Sequence, residues 1–93
     1  MSFELGFVDE ALKEWKKLDS AIREQFKKKL AERLAHPHVQ SARLLGRKDR
    51  YKIKLRNAGC RLVYEVRDKE LIVVVIAIGK RERNAVYKAA AQR

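Results

Sequence analysis

A lone cysteine, Cys60, allows no disulfide within the chain, so nothing covalent can stand in for a hydrophobic core. Its natural setting is a reducing cytosol. Proline occurs once, at Pro37, and glycine four times, with no cluster of either. That scarcity excludes a flexible linker or a low-complexity tract. The longest apolar run, Leu71 to Ile78, is far short of the ~20 residues that span a bilayer. The opening MSFELGFVDE carries acids where a signal peptide carries bases. These absences point to a cytoplasmic protein without a membrane partner. Acidic residues are scarce too, 12 against 23 Lys and Arg, which leaves a net charge of +11 and a pI near 10.2. Such a surface attracts polyanions, with RNA or DNA foremost.

What is present suits one folded unit, 1–93, with a lean core. Hydrophobic residues form 46% of the chain and charged ones 38%, a balance that argues against disorder. Phe3, Leu5 and Phe7 alternate as in a half-buried strand. Asp9 and Glu10 then suit a helix N-terminus, and Leu12, Trp15 and Leu18 fall on one face of that helix. Asp19 or Ser20 can cap a second helix, whose stripe is Ile22, Phe26, Leu30 and Leu34 and whose end is Pro37. After a loop from Val39 to Asp49, three strands follow: Tyr51 to Arg56, Cys60 to Arg67, and Leu71 to Ile78. The third does not alternate, as expected of a central strand buried on both faces. A short helix from Asn84 to Gln92 closes the chain. The predicted fold is α+β, order β-α-α-β-β-β-α: a helix hairpin packed on a small, mainly antiparallel four-stranded sheet.

Side-chain alternation then predicts a site. Pairing Arg56 with Arg61 and Lys54 with Val63 puts Tyr51, Ile53, Leu55, Leu62, Tyr64 and Val66 on one side, with Ala58 and Gly59 at the turn's tip. Lys52, Lys54, Arg56 and Arg61 then emerge together on the other, with Glu65 across from Lys52. Like charges crowded in this way fit a bound phosphate backbone; long basic side chains splayed into water are the plainer account. Lys80, Arg81 and Arg83 follow the last strand, and Arg81 and Tyr87 can reach the same face. Tyr87 reads equally as a packing residue.

The segments LKEWKKL, YKIKLR, GCRLVYEV and IGKRERNAVY together resemble RelE-type toxins of toxin–antitoxin pairs over nearly the whole chain. The resemblance implies the RelE-like microbial ribonuclease-type fold and a toxin endoribonuclease that cleaves mRNA in the ribosomal A site. It also implies a 70S-type ribosome and a RelB-like antitoxin as partners. The family's functional positions correspond here to Lys52, Lys54, Arg61, Arg81 and Tyr87, with Arg56, Lys80, Arg83, Lys27 and Lys28 as RNA-binding candidates. ParE-type gyrase poisons share the fold but lack this constellation. Gyrase inhibition and a non-catalytic RNA-binding module are the rival readings.

The mechanism expected is attack by a ribose 2′-hydroxyl on the adjacent phosphate, leaving a 2′,3′-cyclic phosphate. No acidic or His/Cys cluster shows ligand spacing, so neither a metal nor a cofactor is expected. Neighbouring cations disfavour the charged form of Lys54 and suit it to the role of base, which Lys52 can share. Arg61 and Arg81 offer planar donor forks to the phosphate and the leaving oxygen. Tyr87 can stack on a base, the favoured reading, or help orient or deprotonate the hydroxyl. His36 and His38 flank Pro37, away from this face.

Overall fold

In a computed structural model, which describes residues 2–46, 48–80, 82 and 84–93, the predicted element order is found. It runs β1 (Glu4–Phe7), α1 (Asp9–Lys16), α2 (Ser20–Ala35), a 3₁₀ turn (Gln40–Ala42), β2 (Arg50–Leu55), β3 (Cys60–Arg67), β4 (Ile72–Lys80) and α3 (Ala85–Ala91). The strands form one sheet ordered β1-β4-β3-β2. β3 runs antiparallel to both its neighbours, whereas β1 lies parallel to β4.

β4 fails to alternate because it has a strand on either side and a cover on either face, and Val73 to Ile78 are all buried. A bulge adds to this. Val63 pairs with Ala77 and Tyr64 with Val75, which leaves Ile76 as the extra residue. Ile76 and Ala77 therefore both pack on the α3 side, while Val75 and Ile78 pack under the helix hairpin. The strand begins one residue later than its apolar run, because Leu71 takes a left-handed turn conformation at φ 56°.

The stripe Ile22, Phe26, Leu30 and Leu34 packs α2 against Tyr51, Ile53, Leu55 and Leu62. On α1 the buried Ala11 and the half-buried Trp15 face the core, followed by the half-buried Leu18 just past the helix; Leu12, predicted to share that face, is 37% exposed. Ala11, Trp15 and Leu18 recur at helical spacing, and Leu12 stands about 100° away from Ala11 around the axis.

The opposite face is closed by α3, whose Val86 and Ala90 bury against Val63, Val74, Ile76 and Ala77. Its approach depends on Gly79, where a Cβ would lie 2.9 Å from a Val86 methyl. Two charged contacts fasten its end. Arg93 donates to Glu14 at 2.8 Å and to the Ile76 carbonyl at 3.0 Å, and the buried Arg50 donates to the Ala90 carbonyl.

The hairpin register differs from the prediction by two residues. Lys54 pairs with Arg61, Lys52 with Val63 and Leu55 with Cys60, so the turn is the four residues Arg56 to Gly59. Gly59, at φ 65°, returns its N–H to the Arg56 carbonyl at 3.3 Å. That left-handed position suits glycine and sets the loop length, which in turn sets the register. A slip of two leaves every side chain on its predicted face, so hydrophobic alternation could not distinguish the two pairings.

Candidate active site

The pleat of β2 sends Tyr51, Ile53 and Leu55 under the hairpin and Lys52 and Lys54 to the other face. The observed register stands Lys54 directly opposite Arg61, and Arg61 in turn lies opposite Gly79 on β4. The missing side chain at Gly79 admits Val86, and the next residue of α3 is Tyr87. The Arg61 guanidinium sits over the Tyr87 ring, 5.3 Å from its centroid. The Tyr87 hydroxyl is buried and has no hydrogen-bond partner among the described residues.

Two hollows flank this pair. Lys54, Arg56, Gly59 and Arg61 line one of about 300 Å³. Arg43, Lys48, Arg50, Lys52 and Tyr87 line another of about 600 Å³. Arg61 borders the first and Tyr87 the second, so the stacked pair lies between them. Lys52 does not face Glu65, as the predicted register had it. Arg50 takes that carboxylate at 3.0 Å and Arg67 its second oxygen at 2.9 Å. Burial alone would raise the Glu65 carboxyl, but hydrogen bonds from Arg67 and Arg50 hold it below its ordinary range.

Residues 6–85 match the family profile described as the ParE toxin of type II toxin–antitoxin systems, parDE. The mRNA interferase toxin RelE of Escherichia coli K12 is 53% identical across all of this chain and 98% of its own length. The chain belongs to the RelE/ParE toxin family. A double-arginine mutant of E. coli toxin RelE in the free state superposes with a TM-score of 0.91 at 50% identity, covering 100% of this chain and 98% of that one. The intact E. coli RelBE toxin–antitoxin complex matches with a TM-score of 0.84 at 52% identity, over 88% of this chain and 100% of that one.

Within this RelE/ParE fold, the remaining candidates are placed as follows. Arg81 and Arg83 lie outside the described residues. Lys80 pairs with Cys60, whose side chain belongs to the hairpin core, so the ladder turns Lys80 away from Arg61. Lys27 and Lys28 are exposed on α2, with Lys27 3.2 Å from Glu24. Lys29, outside the predicted set of site residues, lines a hollow with Lys54 and Arg56 around the β2 edge. Also outside that set are Arg43 and Lys48 of the α2–β2 loop and Arg50 at the start of β2, which share a hollow with Tyr87. Arg33 is structural: it donates to the Tyr64 hydroxyl at 2.7 Å, which donates to the Pro37 carbonyl at 2.8 Å.

Chain spacing gave no sign of a ligand cluster, but the fold gathers His38, Asp49 and Asp68 with ligand atoms within 4.8 Å of one another. They come from three separate segments, which a search for local spacing cannot connect. Among the described residues, no helix is long and apolar enough to cross a membrane.

Proposed function

We propose that this chain is a toxin endoribonuclease that cuts mRNA in the ribosomal A site and is neutralised by a RelB-like antitoxin. The observation that carries this reading is the Lys54–Arg61 pair across the β2–β3 ladder, with Tyr87 stacked against Arg61. The 2′-hydroxyl gives its proton to Lys54, and its oxygen attacks the adjacent phosphorus. The bond to the 5′-oxygen breaks, leaving a 2′,3′-cyclic phosphate, and that oxygen takes a proton from water to become a 5′-hydroxyl, while Lys54 returns its proton to solvent. Arg61 neutralises the charge that gathers on the phosphate, a role suited to its donor fork. Lys52 holds the phosphate, Arg81 serves the leaving oxygen, and Tyr87 stacks on a base.

Lysine and arginine are a weak acid–base set, so positioning by the ribosome supplies much of the rate; good alignment can contribute ~7–11 kcal/mol. The matching profile carries the ParE name, which keeps a gyrase poison as the second reading. Cleavage of a defined message on programmed ribosomes tests both. A discrete A-site cut with a 2′,3′-cyclic phosphate end, lost in Lys54→Ala, is the expected result. Intact message together with DNA damage in expressing cells supports the gyrase reading instead.

A further inference from the structure

On the hairpin side of the sheet, away from Lys54 and Arg61, His38 stands between two carboxylates. Its Nε2 is 2.8 Å from an Asp68 oxygen, and its Nδ1 is 3.3 Å from Asp49 Oδ2 and 3.0 Å from the Tyr51 hydroxyl. The Tyr51 hydroxyl donates to Asp49 Oδ1 at 2.6 Å, so towards Nδ1 it presents its oxygen. A neutral imidazole has one N–H, so it can donate on one side only. The other nitrogen then faces oxygen acceptors without a proton to give, so the arrangement calls for positive charge, which a bound metal cation or a second ring proton supplies.

We infer that His38, Asp49 and Asp68 form a binding site for a divalent transition-metal cation of the zinc type. One imidazole and two carboxylates, one of them shared with Arg43, are a fitting ligand set for such an ion. The ligands are held in advance by the fold. The His38 ring meets Phe3 and Tyr51 edge-on, at 6.5 and 6.0 Å between centroids. The Asp49 carbonyl accepts the Val66 N–H at 2.9 Å, which ties its loop to β3. Tyr51 and Arg43, the latter at 3.1 Å, hold Asp49 Oδ1 and leave Oδ2 facing the ring. These are the outer contacts that orient a ligating carboxylate. Zinc holds nitrogen and oxygen ligands at ~2.0–2.2 Å. The exposed Asp68 supplies the adjustment, and the exposed side of the cluster admits the ion. Bound there, the ion joins the α2–β2 loop to the β3–β4 turn and takes no part in RNA cleavage.

The test is titration of the untagged full-length protein with Zn²⁺ against a chromophoric chelator, with both histidine rings followed by ¹H–¹⁵N correlation. The expected result is uptake of one Zn²⁺ per chain at micromolar concentration, with His38 signals moving and His36 signals unmoved. His38→Gln and Asp68→Asn each weaken uptake; loss of even an outer-shell contact weakens binding by roughly 10- to 100-fold. If His38→Gln unfolds, Asp68→Asn on its exposed turn decides the matter. No uptake, uptake unchanged in Asp68→Asn, or a shift at His36 in place of His38 overturns the assignment.

Discussion

Arg61 is held by three neighbours: Lys54 opposite on β2, Gly79 opposite on β4, and the Tyr87 ring beneath its guanidinium. Lys54 and Arg61 stand directly opposite each other, so a phosphate bound there meets both. Arg61→Ala should therefore lower cleavage on programmed ribosomes by roughly 10²–10³, as loss of one charge-stabilising donor does elsewhere. Arg61→Lys should recover only part of it, since an ammonium lacks the planar fork. Tyr87 offers a sharper test, because its hydroxyl is buried with no partner among the described residues. Leaving such a group unsatisfied costs about 1–3 kcal/mol. Tyr87→Phe should raise the urea midpoint by on the order of 1 kcal/mol in stability and keep the cleavage rate. A large fall in rate would assign the hydroxyl, and not the ring face, to the chemistry.

Among the elements, α3 is the one whose docking completes the candidate site, and that docking rests on one small residue. Gly79→Ala would bring a methyl to 2.9 Å from Val86 and force the helix outward. The expected cost is ~1–3 kcal/mol, typical of overpacking, together with faster amide exchange in α3. Val86→Ala in the same chain should restore part of the loss, which a double-mutant cycle would measure as coupling. Additive costs would show that Gly79 has another role. The C-terminal contacts work on the same element, since Glu14 accepts both the Arg93 guanidinium and the Ile78 N–H.

For the molecule as a whole, charge sets the response to pH and salt. Glu65 is buried but held below its ordinary value by Arg67 and Arg50, so folding favours its ionised form. Its contribution is complete above the ordinary glutamate range and is lost as pH falls through the lower folded value. Acid unfolding of Glu65→Gln should be correspondingly flatter than that of the parent chain. At the alkaline end, burial and then the bond to Asp49 push Tyr51 up to about 12. Folding favours its neutral form, and stability should fall between about pH 10, the ordinary tyrosine value, and pH 12. Tyr51→Phe removes that step. With a net charge of +11, ribosome binding should weaken linearly in log affinity with log salt. A salt-independent affinity would exclude a phosphate-backbone contribution.

The order of elements, the two-sided burial of β4, the stripe of α2 and the shared face of Lys52, Lys54 and Arg61 were all legible in the sequence. Each depends on a periodicity of 2 or 3.6 residues, and periodicity is a local property of the chain. Tertiary structure decided what periodicity leaves open. Gly59 and its four-residue turn chose between two pairings of equal hydrophobic pattern, placing Lys54 against Arg61 and Glu65 against Arg50. Close approach over Gly79 brought Tyr87 to Arg61, and loop closure gathered His38 with Asp49 and Asp68. Those contacts join residues far apart in the chain, where only the packed sheet and helices fix a distance.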